Sequence, residues 1–124
     1  MGKKVDDTVL DGALNIIKNG AIRQIACSAE PANYAGVAAV ALADVVMASG
    51  DFTVANGDTS GRKVTMAAKS GVLIDTSGTA THVVLTDNSS VLHYVTACTS
   101  QALTANGSNT VNFPAWDIEI ADPT

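Results

Sequence analysis

The sequence predicts a mainly β fold, an antiparallel β-sandwich of about seven or eight strands with one N-terminal α-helix. Three observations carry that prediction. Only the first twenty residues place apolar side chains at helical spacing. From residue 22 onward, short β-rich stretches alternate with clusters of Gly, Asn and Ser. Toward the end, Trp116, Ile118 and Ile120 alternate with Asp117 and Glu119 at the period of a strand. The 47 % hydrophobic content, mostly Ala and Val with aromatics at only 4 %, is a composition suited to packing against neighbours. A chain of 124 residues fits a single domain over 1–124, large enough to bury about two-thirds of its unfolded surface.

The helix is expected at about 8–19. Thr8 stands where an N-cap belongs, Asp11 three residues on forms a weak capping box, and Asp6 and Asp7 suit the positive helix end. Leu10, Ala13, Leu14 and Ile17 recur at helical spacing, and Lys18-Asn19-Gly20 reads as a basic last turn followed by a C′ glycine. The stripe of Leu10, Leu14 and Ile17 must lie on another layer. Gly12 is the one weak helix former inside it.

The β region is expected at about 22–121. Residues 22–28 form the first strand candidate. Residues 52–55 run into Asn56-Gly57-Asp58, and 62–68 resume. Residues 72–76 lead to Ser77-Gly78-Thr79, then 81–87, which turn through Asn88-Ser89-Ser90 into 91–98. Residues 101–104 reach Asn106-Gly107-Ser108, and 110–113 and 116–121 follow. Asn56-Gly57 and Asn106-Gly107 suit hairpin turns because both residue types tolerate positive φ. The Ala/Val run 34–48 has no 3.6 period, and its Val37, Val40, Val45 and Val46 are β-branched, which predicts extended chain over about 40–47. At the end, Trp116, Ile118 and Ile120 alternate with Asp117 and Glu119, one apolar face and one acidic face. Pro114 marks a join or an edge.

Charge excludes several functions. Seven Lys and Arg against twelve Asp and Glu, a net charge of -5, supply no surface for tracking phosphates, so nucleic acid is not an expected partner. The longest apolar run, 37–43, falls far short of the ~20 residues that cross a bilayer, and no membrane partner is expected. The N-terminus has two lysines followed by acidic residues instead of an apolar signal core, and it reads as that of a chain made and used without export. Asp6 also stands where a myristoylation site needs Ser or Thr.

No catalytic, cofactor or metal set assembles from the sequence, and the chain is read as non-enzymatic and cofactor-free. Gly57-Asp58-Thr59-Ser60-Gly61-Arg62-Lys63 only superficially matches a phosphate loop: it is one residue short, lacks Ser or Thr after the Lys, and opens a strand instead of a helix. In the 81–87/91–98 hairpin, the expected register sets His93 opposite Leu85 and His82 opposite Thr96, on opposite faces. A one-residue slip puts both on one face but four residues apart along the ladder, which at ~3.4 Å per residue is beyond the span of a shared metal. Asp51, Asn56 and Asp58 lack the alternate spacing and closing Glu of a calcium loop. No Gly-x-Ser-x-Gly elbow is present. Cys27 and Cys98 lack Cys-x-x-Cys spacing. They read as two small packing thiols, with an internal bridge or a bridge between subunits as the open alternatives. The Asn88 and Asn106 sequons have no meaning without export.

Several segments, in order, carry a family resemblance: Val9-Leu10-Asp11-Gly12-Ala13-Leu14, then Ala29-Glu30-Pro31, then Thr81-His82-Val83-Val84-Leu85-Thr86-Asp87. Leu92-His93-Tyr94-Val95 and the terminal Phe113-Pro114-Ala115-Trp116-Asp117-Ile118-Glu119-Ile120 complete the set. Together they resemble small virion structural proteins of tailed bacteriophages, head-decoration (cement) or tail-associated. The resemblance spans nearly the whole chain apart from 34–48, and its motifs are packing motifs. It implies a helix followed by a compact β-sandwich, made in the host cytoplasm and residing in the virion. The implied partners are the major capsid protein or tail proteins, and further copies of the chain itself as a homo-oligomer. A low-charge surface agrees with this, because few ions must be stripped of water when it is covered. The candidate core or interface anchors are Leu10, Leu14, Ile17, Phe52, Tyr94, Phe113 and Trp116. Trp116 stands either as a plug under the helix or as an interface anchor.

Overall fold

In the computed structural model, which describes residues 3–123, helix α1 spans Asp7–Gly20. Its N-cap stands two residues earlier than the sequence suggests. Asp6 caps it instead of Thr8: the Asp6 carboxylate accepts from the Thr8 amide at 3.0 Å and also from the Thr8 hydroxyl. An ionised carboxylate is the stronger acceptor at the positive helix end, so it takes both donors. Gly20 is the last helical residue, and Ala21, in extended conformation, caps the end through its amide to the Ile17 carbonyl.

Nine strands follow: β1 Arg23–Cys27, β2 Ala41–Val46, β3 Phe52–Asn56, β4 Arg62–Met66, β5 Lys69–Leu73, β6 Gly78–Thr86, β7 Leu92–Leu103, β8 Thr110–Phe113 and β9 Trp116–Ile120. They form a four-stranded sheet of order β2-β1-β6-β7, a three-stranded sheet β3-β4-β9 and a two-stranded sheet β5-β8, with all pairs antiparallel. The extended chain expected over 40–47 is β2. A 3-10 turn at Tyr34–Gly36 and a single helical turn α2, Val37–Val40, precede it. The stretches expected at 91–98 and 101–104 are one strand, β7. The strand expected at 72–76 starts earlier as β5, whose pairing with β8 shifts register across Gly71 at φ 67°.

One face of the four-stranded sheet packs on both smaller sheets, which makes the layers of a sandwich. On one half, Ala21, Met47 and Leu85 meet Phe52, Val64, Met66 and Ile118 of the three-stranded sheet, and Leu14 closes that core from α1. On the other half, Ala26, Leu42, Ala43, Ala80 and Leu103 meet Val72, Ile74 and Phe113. The opposite face of the large sheet buries Ile25, Cys27 and Val84 under Val37. Alternation along β9 holds as the pattern predicts, with Ile118 buried and Asp117 and Glu119 exposed. Two polar clasps dock α1 on the small sheet: Arg62 Nε donates to Asp11 at 2.7 Å, and Lys18 Nζ to the Phe52 carbonyl at 2.9 Å.

Candidate interaction surfaces

The seven anchors divide by depth. Leu10, Leu14, Phe52 and Phe113 are buried, so their work is done inside the domain. Ile17, Tyr94 and Trp116 are half-buried against the core shared by helix and small sheet. Tyr94 of β7 and Trp116 of β9 lie across the sandwich with ring centroids 5.9 Å apart. Phe113 belongs to the other half of the core, so the structure does not gather the anchors into one site.

Trp116 closes the gap between layers. Its Nε1 donates to Gln24 Oε1 at 2.7 Å, and Gln24, on β1, is wholly enclosed. The Gln24 amide nitrogen has only the Met47 sulfur, at 3.6 Å. A buried amide needs partners, so the Gln24–Trp116 bond holds strand β9 to strand β1. Beside it, β7 and the β8–Pro114–β9 corner stand apart. A cleft of about 540 Å³ opens there, lined by Thr96, Cys98, Phe113, Pro114, Trp116 and Asp117. A second hollow continues it past Gln101 and Leu103. Residues 97–102 of β7, Ala-Cys-Thr-Ser-Gln-Ala, are all exposed and carry no ionised group at neutral pH.

Strand β7 differs from the expected hairpin. His82 pairs with Ala97, and Leu85 with Tyr94, while the next pair is Thr86 with Leu92, so His93 is an extra residue bulged out of the ladder. A larger bulge sets residues 98–100 against Thr81 alone, between the pairs His82–Ala97 and Ala80–Gln101. Bulges bend an edge strand and interrupt its outer ladder. The ring of His93 lies over Gly20: a β-carbon added there would stand 3.0 Å from its Nε2, and its Nδ1 is buried without a partner. His82 Nδ1 shares a 2.9 Å hydrogen bond with the Thr81 hydroxyl.

The polar motifs are satisfied within the chain. In the 57–61 turn, which joins β3 to β4, the Gly57 amide donates to the Gly61 carbonyl at 2.9 Å, with Gly61 at φ 69°. The Asp58 and Thr59 amides both donate to Glu119 Oε1 from β9. A carboxylate of the chain itself thus occupies the donors that a phosphate would need. Asp51, Asn56 and Asp58 do not converge on a common point. Asp51 pairs with Lys69 at 2.9 Å and accepts from the Ala48 amide, Asn56 accepts from Arg62, and Asp58 pairs with Lys63 at 2.6 Å. The Ala48 amide first and Lys69 second hold the Asp51 carboxyl below the usual range. Among the described residues, no group of three or more His, Cys, Asp or Glu is placed to hold a metal, and no helix is long and apolar enough to cross a membrane.

Both cysteines are free thiols. Burial first, and the nearby Cys98 second, push Cys27 up to about 11, while Cys98 is exposed on β7. On the far rim of the large sheet, Arg23 pairs with Asp44 at 2.5 Å. Desolvation first, then a hydrogen bond and charge from Asp44, raise the carboxyl of exposed Asp75.

Sequence reasoning set Gln24 and Glu119 on strands but missed their contacts with Trp116 and with the 57–61 turn, and it missed the β7 bulges; no local pattern marks any of these. Comparison with protein-family models, with curated proteins and with solved structures finds no match for the chain.

Proposed function

We propose that the chain is a non-enzymatic structural subunit of a bacteriophage virion, most simply a decoration or cement subunit that stabilises the head through protein–protein contacts. The resemblance of its packing motifs to small virion proteins supplies the particle. The observation that carries the reading is the exposed, uncharged strip 97–102 of β7 beside the cleft. In a chain of net charge -5, a surface with no ionised group is where another protein docks with the least desolvation. The partners on this reading are the major capsid protein and further copies of the chain, and the location is the assembled particle.

Quantitative mass spectrometry of purified particles tests it. Several hundred copies per particle support the head role. A total that is a small multiple of three, six or twelve supports instead a tail or head–tail connector subunit, whose rings have such symmetry. Absence from the particle rejects both. The cleft favours one further reading, a cytosolic module that binds a small molecule or carbohydrate, since its volume lies within the roughly 300–1,000 Å³ of small-ligand sites. A ligand-dependent melting shift in a metabolite or glycan screen distinguishes that reading, because a cement subunit shows none.

A further inference from the structure

We infer that α1 is also a self-association surface, on which a second copy of this chain packs its own α1 antiparallel about a twofold axis between Gly12 and Ala13. The inference builds on the reading of the chain as an assembly subunit, and it names the partner of one face. The core flank of α1 is Leu10, Leu14 and Ile17. A different flank carries Val9 and Ile16, 64 % and 66 % exposed, the two most exposed large apolar side chains described. Two turns apart on one flank, these side chains form an apolar strip that the rest of the chain leaves uncovered.

The rest of that outer surface is Thr8, Gly12, Ala13, Asn15 and Asn19, exposed and uncharged. The helix's ionised residues, Asp7, Asp11 and Lys18, recur at spacings of four and seven and so form a separate row. In that row Asp11 pairs with Arg62, and Lys18 donates to the Phe52 carbonyl. Two copies that repel through their net charge therefore meet here with no like charges opposed.

The spacing fits a copy of itself. Val9 and Ile16 stand seven residues apart, about 10 Å along the axis, with Gly12 and Ala13 midway. An antiparallel partner sets each Val9 against the other copy's Ile16, the two small residues let the backbones approach, and the helix dipoles oppose. Gly12 points the same way. Glycine is the weakest non-proline helix former, yet a β-carbon added at Gly12 meets nothing within 4 Å in its own chain. Its own fold gives no reason for it, whereas a close-packed neighbour does. Two of the strand edges suit self-pairing less: β7 is bulged, and β9 carries Asp117 and Glu119 behind Pro114. The patch is small against the ~800 Å² per partner of a stable dimer, so the association is reversible and concentration-dependent.

Sedimentation equilibrium of the full chain, from about 1 µM to about 1 mM, tests this. The expected result is a monomer–dimer equilibrium that Val9→Lys and Ile16→Asp each weaken about tenfold or more. The double variant recovers most of the loss, because the antiparallel arrangement sets each new cation against the other copy's new anion. Gly12→Ala separates packing from folding, since it raises the melting temperature of the dilute monomer through helix propensity while weakening association. Circular-dichroism melts of the dilute variants establish that each is folded. A chain monomeric throughout this range, or a dimer indifferent to the single substitutions, overturns the helix interface. Both results leave the particle reading to the copy number in virions.

Discussion

Replacing Trp116 with Phe tests whether the bond between layers is what holds β9 against the large sheet. Gln24 is 0 % exposed, and its oxygen has the indole N–H as partner at 2.7 Å. Removing that donor strands a buried acceptor, which costs about 1–3 kcal/mol. The smaller ring withdraws apolar contact worth roughly 1 kcal/mol more. The sum, about 2–4 kcal/mol, is a sizeable part of the ~5–15 kcal/mol that holds a domain folded. Gln24→Leu is milder. It removes the amide altogether, and the freed indole N–H of half-buried Trp116, which lines the open cleft, is within reach of water. Its expected cost is about 0–1.5 kcal/mol. The double variant strands no acceptor, so its loss falls short of the sum of the singles by about 1–2 kcal/mol. Urea unfolding followed by far-UV circular dichroism measures all four proteins, since Trp116 is the sole tryptophan and fluorescence disappears with it. Micromolar protein keeps association out of the comparison. Additivity within about 0.5 kcal/mol, or a Trp116→Phe protein as stable as the parent, refutes the argument.

Leu14→Ala empties a fully enclosed site between α1 and the small sheet. It should lower stability by about 2–5 kcal/mol in the same urea assay, and a loss under about 1 kcal/mol would mean that the helix does not close this core. In the native protein at mild alkaline pH a thiol reagent should modify Cys98 alone, because Cys27 is buried and pushed up to about 11; a second equivalent should react only after denaturant is added. Prompt labelling of both thiols in the native state contradicts the burial of Cys27. Asp75→Asn should raise the melting temperature near neutral pH. The raised Asp75 carboxyl means that the folded state holds that proton more tightly than the unfolded chain, so its stabilising contribution is lost as pH rises through the folded value. Asn avoids the ionised neighbour of Asp44, a gain of a few tenths of a kcal/mol for so exposed a group. The gain should vanish at a pH well below the carboxylate range, and a gain independent of pH would point to another cause.

What the sequence discloses, and what it conceals, follows the range of the forces. Helix α1 is legible because Leu10, Leu14 and Ile17 must recur every three or four residues on one flank, and β9 because Trp116, Ile118 and Ile120 must alternate. The cap moved by two residues because the Asp6 carboxylate takes both the amide and the hydroxyl of Thr8, which draws Thr8 into the first turn, and only geometry decides that. The turn at Asn88 is legible too, and it sits at φ 57°, but the register beyond it is not. The bulge at His93 and the one over residues 98–100 involve no Gly or Pro, so nothing in the local pattern announces them. Contacts between remote residues leave still less trace. Glu119 reaches the Asp58 amide across 61 residues, and Trp116 reaches Gln24 across 92. These partners exist only once the layers have met.

A second kind of illegibility has a different meaning. Most local departures in this chain have an internal compensation. Gly61 turns at φ 69° where a β-carbon would collide with the Ile120 carbonyl, and Gly20 makes room for the ring of His93. Gly12 has no such neighbour, and Val9 and Ile16 flank it in solvent. When each choice in a foldable sequence supports the fold, a choice that weakens a helix and wets two large apolar side chains for no internal return is informative. Its compensation lies outside the single chain, and the geometry of the helix makes a second copy of itself the partner that fits.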